Sequence, residues 1–193
     1  ILAVLALAMR EREALRSEES RRYWEGQLAF ETVTELPRLS LLTDSGQPWE
    51  VANVDLALPT EVAEGAAELA RAMSVSLKSV LLAAHLKVMS FLSGQSSVVT
   101  GLVTNGRPEE AGGDKALGLF LNTLPLRLGL PGGTWADLVR ETFEAESAML
   151  SHRRFPMAEL QKRQPGRPLF ETAFCEVSNG LRAIARATSS FSC

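Results

Sequence analysis

The sequence predicts an α/β fold, with a sheet of about four short strands covered by helices. Three observations carry this. Residues 77–92 place apolar side chains at 77, 80, 81, 84, 88, 91 and 92, the spacing of one helical face. Residues 98–104 and 119–128 are short apolar runs of strand type, joined by a polar, Gly-containing loop. Helical patterns with their own start signals, Thr60 after Pro59 and Thr134 with Asp137, flank these runs.

Residues 1–8 are apolar, with no basic residue ahead of them and far too few to span a bilayer. They lead straight into a helical pattern and are expected to begin a buried helix. Residues 9–29 are rich in Glu, Arg, Ala and Leu, without Pro and without Gly before Gly26, which predicts one helix. Its larger apolar groups are Leu15, Tyr23, Trp24 and Leu28. Pro37 and the 44–48 cluster mark loop. Residues 51–58 alternate, with Ala52, Val54, Leu56 and Leu58 on one side, and predict a half-buried strand.

Thr60 is the expected N-cap of a helix reaching Met73. The helix over 77–92 adds Leu82, Leu86 and Met89 to its apolar face, predicting cover on several sides, and Ser93-Gly94 ends it. In the 119–128 run Pro125 implies an edge position or a bulge. Residues 129–133 are turn, and Thr134-Trp-Ala-Asp137 resembles a capping box opening the next helix. Pro156 suits the first turn of a short helix through Leu160, 165–168 is a break, and 169–177 predicts a last strand. Residues 181–193 are Ala, Arg and Ser with few large apolar groups and are expected to be a disordered tail.

Composition narrows the function. At 46% hydrophobic and 22% charged, the chain can bury a real core. A net charge of −3 without a Lys/Arg cluster argues against nucleic acid and anionic membrane as partners. Cys175 and Cys193 make no disulfide framework, and a reducing, cytoplasmic setting is the simplest reading. The chain begins without Met and is expected to be cut from something longer.

There are two histidines. His85 lies within the apolar helix and reads as a hydrogen-bonded structural residue rather than a catalyst. His152, beside Arg153 and Arg154 at a helix end, is read as serving terminal carbonyls and the helix dipole. Neither has a metal-ligand partner at useful spacing, and residues 112–115 lack the strand–loop–helix context of a phosphate loop and read as flexible loop. Asn122 shares a strand face with Phe120, Leu124, Leu126 and Leu128. A carboxamide there must find partners, since leaving it unpaired costs about 1–3 kcal/mol. Two roles stay open, an amide pinning a neighbouring loop and a group of a site. Arg127, on the other face with Thr123, reads as an ion-pair partner or helix-cap donor.

These motifs resemble a known family. Gly106-Arg107-Pro108 and Leu117-Gly-Leu-Phe-Leu-Asn-Thr-Leu-Pro-Leu-Arg127 are similar to the Gly-Arg…Gly-x-Phe-x-Asn-Thr-Leu-x-x-Arg pattern of condensation domains from nonribosomal peptide synthetases. His152-Arg-Arg-Phe-Pro-Met-Ala-Glu159 resembles the family's His-x-x-x-Pro-Phe-x-Glu motif, with Met157 for Phe. Pro168-Leu-Phe-Glu-Thr-Ala-Phe174 and Ser20-Arg-Arg-Tyr-Trp24…Leu28 match further segments in order. The resemblance implies a mixed sheet in the C-terminal lobe of a two-lobed, chloramphenicol-acetyltransferase-like fold, with residues 1–180 as that lobe. It implies a tunnel between lobes in which an acceptor amine attacks a donor thioester, both substrates riding on phosphopantetheine arms of peptidyl carrier proteins. No cofactor is expected to bind directly. An N-terminal lobe and an adjacent adenylation domain are the other implied partners. Asn122, Gly118, Thr123 and Arg107 would line or position the tunnel floor, with Arg127, His152 and Pro156 structural.

The family's His-His-x-x-x-Asp-Gly motif is absent: His85 is followed by Leu-Lys-Val-Met and His152 by Arg-Arg-Phe-Pro. Its second histidine positions or deprotonates the attacking amine in the family, and no residue here matches it. After Phe174 the sequence also diverges from the family, whose last motif, with its structural Arg, is missing. The chain alone is therefore expected to be inactive. A rival reading is a non-catalytic, condensation-like module that recruits a carrier protein or a tailoring enzyme.

Overall fold

A computed structural model describes residues 2–29, 33–37, 54–107, 115, 118 and 120–176. The loop at 44–48, the start of the 51–58 strand, residues 112–114, Val177 and the 181–193 tail lie outside them. In chain order the elements are α1 Leu2–Arg16, α2 Glu18–Leu28, α3 Thr60–Met73, α4 Leu77–Ser93, β1 Ser97–Asn105, β2 Leu121–Gly129, α5 Trp135–Leu150, α6 Met157–Lys162 and β3 Ala173–Phe174.

The described sheet has three strands in the order β2-β1-β3. β1 and β2 run antiparallel and β1 and β3 parallel, so the sheet is mixed. Gly101 of β1 sits between Pro125 and Ala173 in register. Pro125 lies on the edge strand β2 of this sheet, where its missing N–H is tolerated, and the ladder passes it without a bulge.

The helix expected over 9–29 is two helices. Ser17 leaves helical geometry and its hydroxyl accepts from the Ser20 N–H, with Glu18 and Glu19 filling the first turn of α2. Arg21 reaches back to the carbonyls of Leu15 and Arg16 and so satisfies the end of α1. α1 does begin near the N-terminus, and of its first described side chains Leu5 and Met9 are exposed while Ala6 and Leu7 are half-buried. Thr60 is the first helical residue of α3, and Pro59 occupies the N-cap position without a side-chain bond.

Other starts and stops follow their signals. Ser76 caps α4 through the Ser79 N–H, Gly94 ends it at φ +70°, and Thr134 and Asp137 form a reciprocal capping box on α5. Pro156 directly precedes α6, its carbonyl accepting from Glu159 at 3.0 Å. The α4 face that reaches the core is Leu82, Leu86 and Met89, whereas Val88, Phe91 and Leu92 are exposed. Cover on several sides therefore holds only for the first part of α4. Gly129 closes β2 rather than opening the turn.

Two expected strands differ. Residues 54–58 are irregular and exposed, with Leu56 85% accessible. Within the described part of 169–177, Ala173 and Phe174 are the residues in strand, and the backbone just before them is held by single contacts. There the Glu171 carboxylate accepts from the Leu36 N–H at 3.0 Å, and the Thr172 carbonyl accepts from the Gly101 N–H at 2.7 Å. The Phe170 ring lies over Gly101, where a Cβ would come within 2.5 Å of it. The absent side chain is what lets β1 and the 169–172 backbone close up.

Trp24, Leu82, Leu86, Leu102, Leu124, Leu126, Met149 and Phe155 form the main core between sheet and helices. A smaller cluster of Ala70, Val80, Ala83 and Val139 joins α3, α4 and α5. Between α4 and α5 lies a buried ionic link: Glu146 accepts from Lys78 Nζ at 2.7 Å and from the Ser79 hydroxyl at 2.8 Å.

Candidate functional site

β2 carries the central residue. Asn122 pairs with Thr104, whose hydroxyl donates to the Asn122 carbonyl at 3.0 Å. The Asn122 carboxamide Nδ2 donates to the carbonyl of Arg153 at 3.1 Å and to that of Phe155 at 2.9 Å. Of the two roles open to it, the amide performs the loop-pinning one, stitching the turn after α5 onto the sheet.

That turn is held from other sides too. His152 is buried, its Nδ1 lies 3.0 Å from the Ser20 hydroxyl, and Tyr23 stacks on its ring at 4.3 Å. Burial pushes the Tyr23 phenol up to about 12, so the stacked pair carries no phenolate near neutral pH. Phe155 packs on Trp24, and Arg163, paired with Glu25, lies over the Phe155 ring at 5.6 Å. The His152 side chain thus ties α2 to the turn instead of serving helix carbonyls. Arg153 does the latter, donating to Leu150 O at 3.4 Å.

The loop between β1 and β2 opens at a neck. Gly106 N–H donates to the Phe120 carbonyl at 2.7 Å, and a Cβ on Gly106 would lie 3.1 Å from that oxygen. Arg107 follows with its N–H on Asn105 Oδ1 and its guanidinium over the Phe120 ring at 5.1 Å. Gly118 is exposed at φ +152°, on the return side of the loop. Thr123 pairs with Val103, and the pleat turns it to the face opposite Asn122. Arg127, about 17 Å along the strand from Asn122 at the usual rise, donates to the Ala29 carbonyl at 2.9 Å and acts as a helix-cap donor for α2.

The structure therefore brings Asn122, His152 and Pro156 to one turn and sets Arg107 on Phe120 at the neck, while Thr123 and Arg127 face elsewhere; no contact joins Gly118 to either group among the described residues. Two clefts lie apart from this cluster. One of about 570 Å³ is lined by Val33, Leu36, Leu92, Gln95 and Arg167 among others, and one of about 200 Å³ by Phe91, Leu130 and Trp135 among others.

His85 hydrogen-bonds through Nε2 to the Thr100 hydroxyl at 2.9 Å, and that hydroxyl also lies 3.0 Å from Thr172 Oγ1. Burial pushes His85 down to about 4, which keeps the ring neutral near pH 7 and suits a structural role. Among the described residues no His, Cys, Asp and Glu cluster is placed to hold a metal ion. No described helix is by itself long and apolar enough to cross a membrane. Sequence reasoning missed Glu146 and the Thr100–Thr172 pair. Glu146 was findable: it falls seven residues after Val139 on the buried stripe of α5.

The profile of the condensation domain matches residues 7–180. The chain belongs to the condensation-domain family. The chain is 40% identical over 153 residues to the AMB antimetabolite synthetase AmbE of Pseudomonas aeruginosa, a match covering 79% of the chain and 7% of that protein. It is 34% identical over 131 residues to the malpinin synthetase of Mortierella alpina, covering 66% of the chain and 2% of that protein. Its fold is similar to the first condensation domain of the calcium-dependent antibiotic synthetase, solved with a substrate analogue, at a TM-score of 0.69 and 27% identity. That match covers 86% of this chain and 39% of the solved one. This condensation-domain chain thus spans about two fifths of the solved domain and a small fraction of each synthetase.

Proposed function

We propose that residues 1–180 work as the C-terminal lobe of a nonribosomal peptide synthetase condensation domain and form one side of its substrate tunnel. The observation that carries this is the Asn122 clamp. It joins two motifs far apart in sequence, the β1–β2 hairpin and the 152–156 turn, into one rigid surface beside the Gly106–Arg107 neck. Rigid elements that set a loop in place are what a tunnel floor requires.

The reaction proposed for the whole domain joins two carrier-tethered aminoacyl or peptidyl thioesters. The acceptor amine attacks the donor thioester carbonyl, a C–N bond forms, the C–S bond breaks, and the phosphopantetheine thiol leaves with a proton. The amine must lose a proton, a task for a group titrating near neutrality. Neither histidine here suits it. His85 is held neutral in the core on Thr100, and His152 is buried against Ser20 and Tyr23. The proton acceptor is accordingly assigned to the other lobe, along with the second tunnel wall. The partners that follow are peptidyl carrier proteins and an adjacent adenylation domain.

The test is incubation of the purified chain with donor- and acceptor-loaded carrier proteins, followed by mass spectrometry of the carrier-bound species. No amide product is expected, and product formed by the chain alone would overturn the reading.

A further inference from the structure

Asn122 spends only one end of its side chain on the fold. Nδ2 gives both of its protons away, to the Arg153 carbonyl at 3.1 Å and to the Phe155 carbonyl at 2.9 Å. Both partners are acceptors, so the nitrogen is the atom that must face them, and the amide has one orientation. The oxygen at the other end, Oδ1, accepts from no described residue. The Thr104 hydroxyl across the strand pair is spent on the Asn122 backbone carbonyl. Asn122 is half-buried, and Oδ1 is not one of the buried unbonded side-chain atoms of the chain, so it keeps access to solvent. Two bonds at one end fix the plane of the amide, and with it the direction of the lone pairs at the other. A fixed, open acceptor on a strand is a means of holding a ligand N–H in one place.

We infer that Asn122 Oδ1 accepts a hydrogen bond from the amine of the acceptor substrate and so orients the attacking nitrogen. This rests on the reading above that the surface around Asn122 lines a substrate tunnel. The two ends of one side chain then do different work, Nδ2 on the turn and Oδ1 on the ligand. The chemistry of a carboxamide suits the task better than that of a carboxylate. A negative charge beside the amine favours its ammonium form, which has no lone pair to attack with. A neutral amide oxygen holds the N–H without that bias. It accepts the bond and takes no proton, so the proton acceptor remains a separate group. A pantetheine arm also carries amide N–H groups, and the experiment separates the two sources.

The experiment follows the Asn122 side-chain amide by NMR in the isotope-labelled 193-residue chain, titrated with two probes. S-aminoethyl-pantetheine places an amine as many bonds from sulfur as an aminoacyl thioester does. S-ethyl-pantetheine has the same arm without the amine. A hydrogen bond to Oδ1 draws charge from Nδ2, so a saturable downfield shift of the Nδ2 resonance is expected with the amine and not with its twin. The Gln161 amide also donates to two carbonyls, those of Gln164 and Arg167, and serves as the internal reference that should stay still. A side chain that acts as a clamp alone gives no shift specific to either probe. That result would overturn the inference and leave the lobe assignment standing. Equal saturable shifts with both probes would give the contact to the arm and overturn its assignment to the amine. The lobe assignment fails by another route, amide product from the chain alone, which this titration does not read.

Discussion

The Asn122 carboxamide donates to the Phe155 carbonyl at 2.9 Å, a contact between residues 33 apart that fastens β2 to the turn after α5. The same nitrogen serves Arg153. Replacing Asn122 with Leu keeps the volume and removes both donors, leaving two carbonyls to find others. The expected loss is about 1–3 kcal/mol in urea-induced unfolding. Asn122→Leu should also raise exchange at the Phe155 amide more than at the β1 amides.

Gly101 and Phe170 form a second tight contact. Gly101→Ala sets a methyl group against the ring and is expected to destabilise by about 1–3 kcal/mol, as overpacking does. Gly101→Ala combined with Phe170→Leu should recover part of the loss, which thermal unfolding of the three variants would show. Equal losses in single and double variants would mean that the ring is not what the methyl group meets.

Much of this architecture is legible in the residues alone. Ser93-Gly94, Thr134 with Asp137, and Pro125 each announce a local event that the structure contains, because caps and edge prolines act within a few residues. Ser17 gives no such notice as a cap, since it stands among strong helix formers and nothing in its neighbourhood stops the pattern. Asn122 is recognisable as needing partners, but the carbonyls that satisfy it come from a turn folded against the strand after α5. Residues 54–58 show a strand period without a strand outcome. The period records a side to be covered, and among the described residues nothing covers it. His152 misleads for a similar reason: Ser20 lies 132 residues away and gives no local sign.

The Lys78–Glu146 pair predicts asymmetric costs. Glu146→Leu leaves the Lys78 ammonium and the Ser79 hydroxyl without their acceptor, at an expected cost of about 3 kcal/mol. Adding Lys78→Met should restore a large part, because the desolvation of both charges disappears together. A double-mutant cycle in denaturant measures the coupling, and strict additivity would contradict it.

His85 makes stability depend on pH. Its folded value is pushed down to about 4 by burial, below the ordinary 6.5 of an open chain. Below pH 6.5 the unfolded chain takes up a proton that the folded one refuses, so stability is full above 6.5 and falls as the pH drops toward 4. The share due to this ring is up to about 3 kcal/mol. His85→Gln should flatten the Tm profile between pH 4 and 6.5, and an unchanged slope would remove His85 as its source.

The central claim is that this chain supplies a tunnel wall and its positioning clamp, while the group that accepts the amine's proton lies outside it. The direct measurement is condensation between two loaded carrier proteins, followed by mass spectrometry, with the 193-residue chain and with a chimera, the first condensation domain of the calcium-dependent antibiotic synthetase with its matched segment replaced by this chain's residues. The account predicts amide product from the chimera and none above background from the chain. Sustained turnover by the chain alone would contradict it.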